Sequence, residues 1–349
     1  MPFDEPRWWY RPEPTLPARL LAPLSCIYGW EAKRRYLAKA PQTLGLPVIC
    51  IGNFTAGGTG KTPLALYIAK TLQALGTNPA FLSRGYKARH TAPHWVDPGR
   101  DTAADAGDEP LLLARAAPTM ISVDRAAGAQ AIVLSSNGHG AIIMDDGLQN
   151  PALAKTLTIA VVDGERGFGN GRVIPAGPLR APLGFQMPLA DAIVVNAPAN
   201  PTDRTAATLT WLRQHFTGPV LRATPRPTGS TQWLAEKPVL AFCGIGAPDR
   251  FFNLLESLGA QLAAKRAFPD HHPIGKTEAQ SLLSEAENRQ ATLVTTEKDW
   301  VRLADSGPPG ALKAATRTLP IALVFDPSDE TVLAALLRRS LARAAPERS

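Results

Sequence analysis

Eight consecutive residues, Thr55-Ala56-Gly57-Gly58-Thr59-Gly60-Lys61-Thr62, carry the clearest chemistry in the chain. A short β-branched run, Val48-Ile49-Cys50-Ile51, precedes them, and Ala65, Ile68, Ala69, Leu72 and Leu75 follow at helical spacing. The order strand, glycine loop, helix sets Gly60-Lys61-Thr62 at a helix N-terminus, where free backbone N–H groups and the helix dipole favour phosphate. Glycine lets the backbone approach phosphate closely, Lys61 reaches the outer phosphates, and the Thr62 hydroxyl ligands Mg²⁺. Thr55 stands where the usual phosphate-loop pattern has Gly.

A second strand reading, Ala141-Ile142-Ile143-Met144, ends in Asp145-Asp146-Gly147-Leu148-Gln149. A carboxylate at such a strand end holds Mg²⁺ directly or through water, and a second acid or Gln149 orders the metal's waters or the incoming nucleophile. The two motifs together imply Mg-nucleotide chemistry; which Asp touches the metal stays open. The sequence has no Asn-Lys-x-Asp or Thr-Lys-x-Asp for a guanine base and no Asp-x-x-Gly after the strand acid, which removes most support for a GTPase switch. A kinase needs a base for an acceptor hydroxyl. Asp108, in Gly107-Asp108-Glu109-Pro110, is the candidate. The rival is a P-loop ATPase that drives a partner at the membrane, and it predicts hydrolysis without any acceptor.

The elements that must position these groups form an alternating pattern. Strands are expected at 80–83, 119–123, 158–162 and 192–195, with helices after Asp108 and over 125–134. That pattern predicts an α/β fold of the P-loop NTPase type, a mostly parallel sheet with helices on both faces. Catalytic groups gather at the strands' C-terminal ends in such a sheet. Asp163 also follows a strand end, where a plain turn role is preferred. After a hinge at 225–230, residues 239–243, 292–295 and 321–325 alternate with helical segments and predict a second, smaller α/β domain. The expected division is 1–40 as an amphipathic membrane-interfacial segment, 41–225 as the P-loop core, and 226–349 as the smaller domain with its C-terminal helix.

The length of 349 residues suits two domains, and 33 prolines, nearly twice the usual share of about 5%, rule out long coiled coils. A net charge of +7 points to acidic partners such as phosphates or anionic lipid. A nucleic-acid-binding ATPase rests on that charge alone, with no recognition module, so nucleic acid is not expected as a partner. Three scattered cysteines indicate neither a disulfide framework nor a zinc site, and fit a reducing compartment. The start carries Asp4 and Glu5 rather than a basic leader, and no run is apolar enough to span a bilayer. Residues 7–36 hold three of the seven tryptophans, a Leu-rich middle and a basic close. Leu20, Leu21, Leu24, Ile27 and Tyr28 fall at helical spacing, which reads equally as an interfacial helix or as one packed on the domain. Pro17 and Pro23 weaken a single unbroken helix. The tail, with Arg338, Arg339 and Arg343 on a Leu and Ala helix, is expected to pack.

Eight blocks in one order carry a resemblance. They are Gly52-Asn53-x-Thr55-Ala56-Gly57-Gly58-x-Gly60-Lys61-Thr62-Pro63, Ser83-Arg84-Gly85-Tyr86, Gly107-Asp108-Glu109-Pro110, Asp145-Asp146-Gly147-Leu148-Gln149, Phe168-Gly169-Asn170-Gly171, Pro175-Ala176-Gly177-Pro178, Asp270-His271 and Thr296-Glu297-Lys298-Asp299. Over nearly the whole chain this resembles the tetraacyldisaccharide 4′-kinase family of lipid A biosynthesis, which also has a non-Gly residue at the Thr55 position. The resemblance implies ATP-dependent phosphorylation of an acylated glucosamine disaccharide 1-phosphate at its 4′-hydroxyl, giving lipid IVA. It places the enzyme peripherally at the cytoplasmic face of the bacterial inner membrane, with that lipid surface as a partner.

Carried over position by position, residues Thr55 to Thr62 hold the ATP phosphates, Lys61 among the catalytic groups. Thr62, Asp145 and Asp146 serve Mg²⁺, and Gln149 serves the nucleotide. Asp108 becomes the base, and His271 beside Asp270 works with it. On the residues alone, Asp270-His271-His272-Pro273 reads equally as a capped turn or a metal site. Joint action of Asp108 and His271 requires the domains to meet over a cleft. Ala181 stands where many members have an acid. Thr296 to Asp299 carries no assigned chemistry beyond helix capping. Arg84 and Arg125 are open candidates either for the substrate's phosphate or for pairing with acids at the surface.

Overall fold

The computed structural model describes residues 5–344 apart from 12, 14, 87 and 136, so Asp4 and the last five residues lie outside the described part. The strands are β1 (Val48–Asn53), β2 (Pro79–Ser83), β3 (His94–Trp95), β4 (Thr119–Ile121), β5 (Ala141–Asp145), β6 (Leu157–Asp163), β7 (Ala192–Asn196), β8 (Val220–Pro227), β9 (Val239–Cys243), β10 (Leu262–Ala267), β11 (Thr292–Thr295), β12 (Thr316–Thr318) and β13 (Ile321–Phe325). Among the described residues they make a nine-stranded sheet, ordered β13-β8-β7-β6-β1-β5-β2-β4-β3, and a four-stranded sheet, ordered β10-β9-β11-β12. Only the outermost pairs of the large sheet, β13 with β8 and β3 with β4, are antiparallel. This is the mostly parallel α/β architecture expected from the sequence.

Strand β1 is buried along its whole length because it lies at the centre of the sheet with a helix over each face. Ile49 and Ile51 point to Leu64, Ala65, Ile68 and Leu72 of the helix Lys61–Ala74. Val48 and Cys50 point the other way, to Ala129 and Ile132 of the helix Arg125–Leu134. Parallel pairing to β5, with Ile51 opposite Asp145, brings the phosphate loop and the strand-end aspartates together at the C-terminal ends of the central strands.

Two expectations about the second half are corrected. Pro225 and Pro227 lie within β8 instead of forming a hinge. They occupy alternate positions past Ala223, where pairing with β7 has ended, so their missing N–H groups face the open side while β8 pairs β13. The break comes later, at Thr228 to Ser230, where Gly229 has φ +79°. Strand β13, expected in the smaller sheet, belongs to the large one. The helix Pro327–Ala344 follows it, and Leu323, Phe325, Leu333 and Leu337 join the same core as Leu64 and Ile68. The smaller sheet is thus an insertion between β8 and β13.

The N-terminal helical region divides at Leu21 into Leu16–Leu20 and Ala22–Leu37, with Pro17 and Pro23 each in a first turn. Its small residues face the domain: Ala18, Ser25 and Gly29 are buried, Ser25 Oγ donates to the Val173 carbonyl at 2.6 Å, and Gly29 lies against Pro182. Leu16, Leu20, Leu24, Ile27, Tyr28, Trp30 and Leu37 are exposed, Leu20 at 71%. The apolar stripe therefore points away from the protein.

Candidate active site

The phosphate loop runs from Thr55 to the first turn of the helix Lys61–Ala74. Its left-handed positions fall on Gly57 (φ +89°) and Gly60 (φ +95°), where only glycine is unstrained. Thr55 instead forms an extended bridge with Leu179, which accounts for a β-branched residue at the position where Gly is usual. Asn196 Nδ2 donates to the Thr59 carbonyl at 3.0 Å and packs where a side chain on Gly60 would have to go. Glu5 lies against Gly57 in the same way, and its Oε2 accepts from Tyr10 (2.6 Å) and Arg166 (2.9 Å). The Ala56 N–H is already used by the Pro178 carbonyl at 2.7 Å.

The strand-end aspartates have different surroundings. Asp146, at φ +52°, accepts from Arg180 Nη1 with both oxygens (2.8 and 2.9 Å) and lies 3.6 Å from Lys61 Nζ. Burial works to raise its pKa, but Lys61 and Arg180 outweigh it and hold the carboxyl well below the usual carboxylate range. Asp145 is buried, accepts only a long 3.4 Å bond from Ser83 Oγ, and leaves Oδ1 without a hydrogen-bond partner among the described residues. Burial, then the charges of Glu109 and Asp146, push it up to about 7. Gln149 spends its amide on the Asn53 carbonyl (2.8 Å) and Gln186 Oε1 (2.6 Å), and Gln186 in turn donates to the Ala181 carbonyl (2.6 Å). Gln149 thus braces the strand beneath the phosphate loop.

Thr62, Asp145 and Asp146 offer hard oxygen donors, and the orphaned Asp145 Oδ1 is the kind of atom a divalent cation would satisfy, so these residues fit Mg²⁺. The strain of a buried, raised carboxyl gives a stability prediction. A group raised in the folded state stabilises fully below its unfolded pKa and loses that contribution as pH rises through the folded value, here about 7. Asp145→Asn is therefore expected to stabilise the metal-free protein above neutral pH, on the order of 1 to 3 kcal/mol, while lowering activity. Thermal unfolding at pH 8 with and without the substitution checks it; a lower Tm would contradict it.

The second cluster joins the two sheets. Asp108 opens the helix Asp108–Ala114 of the large-sheet unit, and His271 lies in the turn after β10. His271 Nδ1 is 3.0 Å from Asp108 Oδ2, and its Nε2 is 3.8 Å from Asp270 and 3.4 Å from Lys298 Nζ. Arg302 Nη2 donates to the same Asp108 oxygen at 2.5 Å. Burial raises the proton affinity of Asp108, but the His271 hydrogen bond and the charges of Lys298 and Arg302 overcome it and leave the carboxyl well below its ordinary range. Lys298 also pairs Glu109 at 3.3 Å, and the Glu109 charge is among those that raise the proton affinity of Asp145.

The structure brings Asp108, Asp270 and His271 together, and Lys61 with Asp146. Asp163 keeps a turn role, accepting from the N–H groups of Glu165 and Arg166 and pairing Arg250. Arg125 is not at the surface: it is 3% exposed, donates to the Ser122 carbonyl at 2.7 Å, and has a partnerless Nε among the described residues. Burial lowers it to about 10 despite the attraction of Asp145 and Asp146. Sequence reasoning missed Arg180 and Arg302. Arg302 had a local signal, since it stands three residues after Asp299 on one helix and pairs it at 2.8 Å.

A phosphate loop on a central parallel strand, with strand-end aspartates on the adjacent strand, defines a P-loop nucleotide-binding protein. The family model described as tetraacyldisaccharide-1-P 4′-kinase matches residues 17–341. This chain belongs to that family. It is 48% identical over 340 residues to the tetraacyldisaccharide 4′-kinase of Methylobacterium sp. (strain 4-46), covering 97% of this chain and 96% of the relative. It is 46% identical over 341 residues to that of Nitrobacter winogradskyi, covering 97% and 98%. The crystal structure of LpxK from Aquifex aeolicus in complex with ATP superposes with a TM-score of 0.73 at 25% identity, covering 93% of this chain and 99% of that one.

Proposed function

We propose that this protein transfers the γ-phosphoryl group of ATP to the 4′-hydroxyl of a tetraacylated glucosamine disaccharide 1-phosphate, giving lipid IVA. The observation that carries the reading is the Asp108–His271 pair, formed across the two sheet units at 3.0 Å. The phosphate loop and Lys61 bind and orient the triphosphate. Asp108, kept ionised by its cationic neighbours, accepts the hydroxyl proton as the sugar oxygen bonds to the γ-phosphorus and the bond to the ADP oxygen breaks. His271 orients Asp108. Lys61 and Arg180 supply positive charge beside the transferred group. When bound, Mg²⁺ neutralises charge on the phosphate oxygens, held by Thr62 with Asp145 and Asp146.

The acceptor's acyl chains bring a membrane surface into the reading. Among the described residues no helix is long and apolar enough to cross a membrane. The outward stripe of Leu16, Leu20, Leu24, Ile27 and Trp30 supports peripheral insertion, with the cytoplasmic face of the inner membrane as the site of action. A Leu20→Asp/Ile27→Asp double variant is expected to bind anionic lipid vesicles about tenfold or more weakly, with unchanged thermal unfolding. Co-sedimentation with the vesicles measures it, and undiminished binding would sink the interfacial role.

The function itself is tested by incubating the protein with γ-labelled ATP and the disaccharide precursor in mixed micelles. Label in the lipid supports the kinase. Label only in free phosphate, with the lipid untouched, would favour an ATPase instead.

A further inference from the structure

We propose that Arg302 is a positioning residue for phosphoryl transfer, holding the Asp108 carboxylate and the His271 turn in one arrangement across the two units. The inference rests on the reading of Asp108 as the base. Arg302 ends the helix Glu297–Arg302 that follows β11, and its side chain is 8% exposed. One guanidinium nitrogen, Nη2, reaches Asp108 Oδ2 at 2.5 Å. The other, Nη1, donates to Asp299 Oδ1 (2.8 Å) and to the carbonyls of Gly244 (3.3 Å) and His272 (3.5 Å).

Those partners are the frame of the His271 turn. The Gly244 carbonyl accepts from the His271 N–H at 3.2 Å, and the Gly244 N–H donates to Asp299 Oδ1 at 3.0 Å. Asp299 is itself held by Thr296, whose hydroxyl donates to Oδ2 at 2.6 Å and which caps the helix. The Thr296 to Asp299 block thus acquires a role: it orients an arginine that touches both the base and the backbone carrying its histidine. His271 has φ +60°, a left-handed conformation that a non-glycine residue keeps only where its surroundings impose it. Arg302 supplies part of that constraint.

A planar guanidinium suits this task because its two nitrogens serve two acids in a fixed geometry. The groups facing Asp108 are His271, with Asp270 behind it, from one turn; Lys298, Asp299 and Arg302 from one helix; and Glu109 from its own helix. Arg302 and Lys298 are the fixed positive charges of this set. Without Arg302 the carboxylate stays ionised beside Lys298, so what is lost is its placement and not its charge.

The experiment compares wild type, Asp108→Asn, Arg302→Gln and Arg302→Lys by phosphate transfer to the lipid acceptor across pH, with Tm measured for each. Arg302→Gln is expected to lower kcat by about tenfold or more, with KM for ATP near wild type. Arg302→Lys is expected to recover only part of that loss in kcat, since charge returns without the two-pronged geometry. If Asp108→Asn is inactive but Arg302→Gln keeps the wild-type kcat, the positioning role is overturned, whatever happens to Tm. If Asp108→Asn is fully active, the base assignment falls and this inference with it.

Discussion

Asp108→Asn is expected to reduce kcat for lipid phosphorylation by about 10²- to 10⁴-fold, the usual contribution of a positioned general base, while leaving KM for ATP little changed. Asparagine keeps the shape and can still accept a bond from Arg302 or His271, but it cannot take the acceptor proton. The substitution also leaves the buried Arg302 side chain and the half-buried Lys298 short of a counter-charge, so some loss of stability accompanies it. The sign is defined. Asp108 has a depressed folded-state pKa, so its stabilising contribution is present above the unfolded carboxylate value and fades as pH falls through the folded one. The variant should therefore be less stable at neutral pH and closer to wild type in acid. Activity measured well below the variant's Tm separates the two effects. A variant that phosphorylates lipid at the wild-type rate would remove Asp108 from the mechanism.

Lys61→Ala is expected to fail differently, lowering kcat/KM for ATP by about 10²- to 10³-fold through both binding and transition-state stabilisation. Its ammonium is nearly buried, with 11% of the side chain exposed, at the N-terminus of the loop's helix and 3.6 Å from Asp146. Fold should survive, because Arg180 remains to pair Asp146 with both oxygens. Binding of a fluorescent ATP analogue alongside the transfer assay distinguishes this variant from Asp108→Asn, which should bind nucleotide normally. Equal nucleotide affinity in wild type and Lys61→Ala would contradict the assignment of Lys61 to the phosphates.

The helix Arg125–Leu134, the strand Val239–Cys243 and the loop ending at Thr62 were legible because each is written in local spacing. Thr296 was legible as a helix cap for the same reason. The place of Ile321–Phe325 was not, since a short apolar run carries no address; its partner is Val220–Pro227, and the four-stranded sheet intervenes between them. The periodic apolar stripe at residues 16–37 likewise predicted a helix, but periodicity could not say which face packs. Ser25 and Gly29 decided that by fitting closely against Val173 and Pro182.

The phosphate loop, the strand-end acids, the alternating α/β order and the residues that resemble the kinase family are written in the order of the residues, because these depend on neighbours within a turn or a strand. The three-dimensional arrangement adds that Arg302, 194 positions from Asp108, completes its surroundings, that Arg125 is buried, and that burial raises Asp145 while Lys61 and Arg180 lower Asp146. Those properties arise where sheet topology brings distant charges together out of water, and there a single neighbour or a lost hydration shell outweighs anything the adjacent sequence encodes.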